Sequence, residues 1–421
     1  MALSGTLSED AVVDILVRLP VKVLVRFKCV SPSWQSLISS PSFVSLHRKR
    51  WISDPSRQLV LVRLGYYGKR VPIQPDPINS VVYWAHGSMK LVGSVHGLVC
   101  VVGFETDEFD AIWVWNPSTR MSKKLPVGKL TTSERVTFGF GWDGGAEVYK
   151  LVKIVSDESD TKVEVWSSSS DSWKEIKVVR KFYHPHCMAR ITYPDATVKG
   201  GSVCYWIVMA EVGSGLGFRI VSFNMSTESL QIISMPKLPV AYNRLFQDLE
   251  DKNECVFGIN WKEDFALVER YSVGSSVGRG FALWTRDAGE RTWSKKLTFS
   301  INARFSFVLS SFDEKILLKA PKNLMSYDMR TGRVENIGDA RVEGLIVGEA
   351  NFFFESLVAL EGFSKEDEEI RSVGDDINSL QEEENAVEAP DDGERKVSFG
   401  HMVTAYYNMM KEKSLEAGHA S

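Results

Sequence analysis

"RLPVKVLVRFKCVSPSWQSLISSP", residues 18–41, sets three prolines among apolar residues at helical spacing, ahead of a long body that alternates like β-strands. Pro20 lacks an N–H and has a fixed φ, so it ends one helix and stands at the entrance of the next. Behind it Val23, Leu24, Phe27 and Val30 fall on one side, with Lys22, Arg26 and Lys28 opposite. Ser31-Pro32 and Ser40-Pro41 each read as a capping serine followed by proline at the first helical position. They predict two further helices, one with Trp34, Leu37 and Ile38, the other with Phe43, Val44 and Leu46. Upstream, Ser8 precedes Glu9 and Asp10, which favour the positive end of a helix dipole. Val12, Ile15, Leu16 and Leu19 follow at helical spacing.

Four short helices in about 45 residues are near the lower limit for a self-sufficient core. Val12, Val13, Ile15, Leu16, Leu19, Val21, Val23, Leu24 and Val25 exceed one inward stripe. Two outcomes are open: the helices pack this surface against the chain's own C-terminal body, or they complete their core with a partner's helices.

The string Leu7-Ser8-Glu9-Asp10, Ile15-Leu16, Arg18-Leu19-Pro20-Val21-Lys22, Leu24, Arg26-Phe27-Lys28-Cys29-Val30 and Ser33-Trp34 with Leu37-Ile38 closely resembles the F-box motif, especially its plant form. The match covers residues 7 to about 47, and Ser8 stands where the motif usually has proline. The resemblance implies binding to the Skp-type adaptor of cullin–RING ubiquitin ligases, with Leu7, Ile15, Leu16, Leu19, Pro20, Val21, Leu24, Val30 and Trp34 as the adaptor-binding set.

Beyond residue 50 a local pattern recurs: an alternating strand ending in an aromatic, a polar turn, and a second short strand. The segments are "AIWVWNPSTRMSKKL", "KVEVWSSSSDSWKEI", "RIVSFNMSTESLQII", "GFALWTRDAGERTWSKKL" and "NLMSYDMRTGRVENI". Trp115, Trp166, Phe223, Trp284 and Tyr327 close the first strand of each. They recur at irregular intervals of roughly 40–60 residues, within the range of propeller blades with variable loops. Another strand pair precedes each hairpin, so four-stranded units repeated five or six times would close a ring, with residues 57–95 and 345–360 sharing the last blade. The alternative is two packed antiparallel sheets. "GSVHGLVCV", "WNPSTRMSKKLP" and "FGFGWDGGAEVYKLV" resemble the kelch-like F-box-associated domain of plant F-box proteins, which implies a domain that recruits a target protein and has no chemistry of its own.

Composition narrows the classes further. The net charge of −4 over 421 residues hides an acidic stretch at 361–394, while the mild basic excess elsewhere is spread along the chain, so no nucleic-acid partner is expected. No apolar run is long enough to span a bilayer, and no membrane partner is expected. Five scattered cysteines without a CxxC argue against a disulfide framework or zinc site and for a reducing compartment, cytoplasmic or nuclear.

Chemistry-bearing motifs are weak. Gly139, Gly141 and Gly144 match GxGxxG, but a strand-like run follows where a dinucleotide site needs a helix. His184-Pro185-His186-Cys187 lacks a second ligand cluster and reads as a loop. The expectation is a mainly β chain with a small N-terminal α-helical F-box (1–50), a kelch-like β-propeller body (51–360) and an acidic tail (361–421) with helical spacing at Phe399, Val403, Tyr406, Tyr407 and Met410. It carries no catalytic residue, metal or cofactor. Its partners are the Skp-type adaptor, through it a cullin–RING scaffold, and an unidentified target. Aromatic candidates for target contact are Tyr66, Tyr67, Trp84, Phe182, Tyr183, Tyr242 and Phe246.

Overall fold

The computed structural model describes residues 8–54, 57–65, 81–85, 89–105, 108–126, 135–156, 161–177, 191–192, 196–198, 200–212, 215–236, 255–272, 279–287, 292–301, 307–312, 314–320, 323–339, 341–342 and 345–365. The chain divides into two compact units, Met1–Gly374 and Asp375–Ser421, and the second lies wholly outside the described residues. So does the tail from 366 onward, with its predicted helical segment.

The four helices form as the caps dictate: α1 (Glu9–Leu16), α2 (Val21–Phe27), α3 (Pro32–Ser39) and α4 (Pro41–Ile52). Ser8, Ser31 and Ser40 each accept a hydrogen bond from the backbone N–H three residues on, at 3.3, 3.2 and 3.2 Å. Each such cap contributes about 1 kcal/mol. Serine at position 8 therefore caps the start of α1.

The body is a ring of six sheets among the described residues. Five are built from consecutive strands. Blade 1 has Met89–Val95, Leu98–Glu105, Glu108–Asn116 and Met121–Leu125. Blade 2 has Arg135–Asp143, Val148–Ser156, Thr161–Ser167 and Ser172–Ile176. Blade 3 has Ala196–Val198, Val203–Val212, Gly215–Asn224 and Ser229–Ser234. Blade 4 has Cys255–Trp261, Asp264–Ser272, Arg279–Arg286 and Trp293–Ile301. Blade 5 has Phe307–Phe312, Lys315–Lys319, Asn323–Asp328 and Arg333–Asp339. Blade 6 closes the ring: Leu345–Phe354 pairs antiparallel with Gln58–Gly65, so both ends of the body share one sheet. The shared blade is shorter than the expected 57–95 and 345–360, because Met89–Val95 pairs with Leu98–Glu105 in blade 1 and the chain leaves blade 6 after Phe354. Six separate sheets packed face to face around a ring exclude the arrangement of two packed sheets.

The five closing aromatics all fall at the end of a blade's third strand, where the repeat puts them. Asn116, Asn224 and Asp328 follow three of them, and each accepts from the N–H two residues on at 2.9 Å, bending the chain into the turn. The turn then needs a left-handed residue, and Arg120, Asp171, Glu228 and Gly332 supply it with φ of 54°, 49°, 49° and 69°.

Alternation drives the packing. In Leu98–Glu105 of blade 1, Val99 and Val101 join a cluster with Leu61 and Phe353 of blade 6, while Leu98, Cys100 and Val102 join Phe138 and Leu151 of blade 2. Both faces are covered, so the strand is apolar throughout. The same logic seats Trp206 and Phe223 against Val152 and Val165 between blades 2 and 3.

Candidate functional site: the helical unit and its seat on the propeller

The helices enclose a small core of Leu16, Val17, Val21, Leu24, Ile38 and Phe43, with Val12, Leu19, Phe27 and Trp34 packed around it. His47 of α4 is fully buried, stacks between Phe43 and Trp51, and donates from Nε2 to the Leu19 carbonyl at 3.0 Å. It thereby ties α4 to the loop between α1 and α2.

This placement sorts the adaptor-binding set nominated from sequence. Leu16, Val21 and Leu24 lie at 1%, 0% and 0% exposure, inside the chain's own core. Ile15 and Val30 are open at 49% and 62%, Pro20 is exposed, and Leu19 and Trp34 are half-buried. Leu7 lies outside the described residues. Sequence spacing left unremarked a groove of about 470 Å³ between α1 and α4, where Val13, Val17 and Leu46 are flanked by Asp10, Asp14, Lys49 and Arg50.

Part of the apolar surplus is met by the body. Leu357, just beyond the last propeller strand, is buried in the helical core. Beside it, the Arg48 guanidinium of α4 lies 5.1 Å from the centre of the Trp142 ring and 3.4 Å from His96 Nδ1. His96 occupies the first turn of blade 1 with φ of 53° and packs edge-on against Trp142 and Tyr149 of blade 2. Burial, and then the Arg48 charge, hold its ring at a pKa of about 4. The helices therefore sit over the rim where blades 1 and 2 make their first turns.

The opposite rim is defined by register. Across blade 2, Ile176, Val163, Ile154, Thr137 and Ile191 belong to the end of the strands away from Trp142. The connection from blade 2 to blade 3 thus leaves and re-enters the fold away from the helices. Phe182 and Tyr183 fall in that connection, yet they lie outside the described residues, as do Tyr66, Tyr67, Tyr242, Phe246 and His184 to Cys187. Trp84 belongs to the strand Val81–Ala85, whose side chains are likewise not described.

The GxGxxG match has a packing explanation. Gly139 and Gly141 belong to a strand followed by another strand. A Cβ on Gly139 would come within 2.7 Å of the Trp206 ring, and one on Gly141 within 2.5 Å of the Gly201 carbonyl of blade 3. Next to them Lys150 Nζ donates to Asp143 Oδ2 at 2.9 Å, Glu228 Oε1 at 2.9 Å and the Met225 carbonyl at 2.8 Å, clasping blade 2 to blade 3. Burial opposes the Asp143 charge, but hydrogen bonds from Lys150, Ser226 and two turn amides outweigh it and bring the carboxyl to about 2. Among the described residues no cluster of His, Cys, Asp and Glu is arranged to hold a metal, and no helix is long and apolar enough to cross a membrane.

Two protein families match this chain: the F-box domain over residues 6–46 and the F-box associated beta propeller domain over residues 78–318. Similar proteins from Arabidopsis thaliana include the F-box/kelch-repeat protein At3g23880, 29% identical over 53% of this chain and 64% of its own length. The F-box protein CPR1 is 28% identical over 55% and 61%. The chain thus spans under two thirds of the length of these relatives. Among solved structures, the β-propeller domain of the trilobed protease from Pyrococcus furiosus aligns at a TM-score of 0.31 and 14% identity over 60% of this chain and 71% of that one, a likeness that carries no argument. With helices matching the one family and a ring of blades matching the other, the chain belongs to the plant F-box proteins that carry an F-box associated β-propeller domain.

Proposed function

We propose that this chain is the target-recognition subunit of an SCF-type cullin–RING ubiquitin ligase. Residues 1–50 capture a Skp-type adaptor, residues 51–360 hold a target protein, and the acidic tail from 361 modulates access to the body. The observation that carries this reading is the pairing of an F-box with a propeller-type body of the same family. The chain needs no nucleophile of its own in this role, because holding a target near a ubiquitin-loaded enzyme raises the local concentration of the reacting groups. Such a complex works in the cytoplasm or nucleus.

The adaptor face is drawn from Ile15, Pro20 and Val30, with Leu19 and Trp34 at its edge and Leu16, Val21 and Leu24 supporting it from within. The target face is the rim away from the helices, where the connection from blade 2 to blade 3 leaves the fold. Facing the two partners in different directions lets both bind at once. Co-expression with a Skp-type adaptor and size-exclusion chromatography tests the reading: a stoichiometric complex is expected, and separate elution of the folded chain overturns it.

A further inference from the structure

We propose that residues 355–365 form an intramolecular strap that makes the F-box fold conditional on a finished propeller, so that adaptor capture is coupled to the presence of the complete target-binding body. Three observations meet in this segment. First, it supplies Leu357, 5% exposed, to the helical core, filling a space the first fifty residues leave open. Second, it is fastened to blade 1, most firmly by a buried side chain. Asn116, fully buried, donates from one Nδ2 to the carbonyls of Ser356 at 3.0 Å and Val358 at 2.8 Å. Lys123 Nζ donates to the Glu361 carbonyl at 2.8 Å, and Ser364–Lys365 pairs with Met121–Ser122. Third, Val44 of α4 packs against the propeller cluster that holds Val358, Leu360 and Phe363, so the strap and α4 share one seat.

The order of these pieces along the chain turns a contact into a dependence. The helices come first and the strap comes after the last propeller strand. The strap is held in place by Asn116 of blade 1 and follows directly from Leu345–Phe354, whose own pairing with Gln58–Gly65 closes the ring. A chain that ends early, or whose ring is open, lacks a positioned Leu357. Its F-box then has a vacancy in the core that holds Leu16 and Leu24, in a unit already near the size limit for a stable core. The ligase would in this way engage only receptors that have finished their target-binding domain.

The adaptor half of this inference rests on the function proposed above, so the experiment reads the helices without the adaptor as well as with it. Hydrogen exchange is followed by mass spectrometry in the full chain, in Leu357→Ala, and in two truncations, one ending at 354 and one at 365. Leu357→Ala should raise exchange in α1 to α3 by at least about tenfold while blades 3 to 5 keep their protection, since local opening follows the contacts that were lost. The chain ending at 365 should match the full chain, and the chain ending at 354 should match or exceed Leu357→Ala. Adaptor capture should fall in the same order. Unchanged exchange in α1 to α3 for Leu357→Ala overturns the strap. Should the chain ending at 354 not fold, the point variant alone decides. Adaptor binding that is absent even from the full chain overturns the ligase reading and leaves the strap standing on its exchange data.

Discussion

Leu357 and Val358 are neighbours in sequence but are buried in different cores, Leu357 among the F-box helices and Val358 between blades 1 and 2. An extended backbone turns consecutive side chains to opposite sides, so two residues suffice to pin two units together. Val358→Ala should therefore lower the stability of the propeller by about 1–3 kcal/mol, the cost of a deleted pair of buried methyls and the gap they leave. Denaturant unfolding followed by tryptophan fluorescence checks it. A midpoint equal to wild type would show that the strap does not contribute to that core.

Leu16→Ala and Leu24→Ala should act through folding. Both side chains are interior, and each truncation should cost about 2–5 kcal/mol of helical-unit stability. Ile15→Asp and Val30→Asp, on exposed positions, should leave the melting temperature within about 2 °C yet weaken adaptor capture by about tenfold or more. Melting curves recorded beside calorimetric titration with the adaptor separate the two classes. Equal loss of stability in all four variants would argue that no part of this surface is reserved for a partner.

Gly141→Ala should destabilise the junction of blades 2 and 3, because the new Cβ meets backbone at 2.5 Å and Met225 at 2.6 Å. Overpacking of this kind costs about 1–3 kcal/mol. Gly144→Ala, where the nearest atom is 3.6 Å away, should fall well below that. Paired thermal denaturation of the two variants is the check, and equal shifts would remove the packing explanation of the glycine motif.

Acid should loosen the seat of the helices before it opens the blade 2 to blade 3 clasp. His96 titrates at about 4 in the folded chain against an ordinary 6.5, so the unfolded state binds more protons between those values. Its stabilising contribution is complete above 6.5 and is lost as pH falls through 4, about 2 kcal/mol in all after allowance for partial exposure. Asp143, brought down to about 2 from 3.8, contributes above 3.8 and loses its contribution only as pH falls toward 2. The measurement is stability from pH 7 to 3 for wild type and His96→Phe. A variant that keeps the full decline between pH 6.5 and 4 would remove His96 as its source.

Asn116→Ala should be costly although no charge is involved. The side chain holds two strap carbonyls and accepts from the Ser118 and Thr119 amides at 2.9 and 3.4 Å, so its loss strands several buried groups. About 2–4 kcal/mol is expected from unpaired buried polar groups together with the loosened strap. Restored stability with Asn116→Asp would contradict this account, since a carboxylate cannot donate to carbonyls.

Local signals were enough to place the helices and the blades. Capping serines before Glu9, Pro32 and Pro41, and the aromatic–turn unit around Trp115, Phe223 and Tyr327, complete their hydrogen bonds within a few residues. Such bonds are legible wherever the string is read. Even the sharing of one blade by the two ends of the body follows from counting strands. The fate of the apolar surplus on the helices was beyond that reach. It depends on Leu357 and on an asparagine 240 residues from the carbonyl it holds, and no periodicity records a contact of that separation. Leu16, Val21 and Leu24 look identical in sequence to Ile15 and Val30, all apolar at helical spacing. Which are covered is set by how the four helices pack on one another and on Leu357, because burial is a property of the packed surfaces on both sides and a sequence pattern describes only one of them.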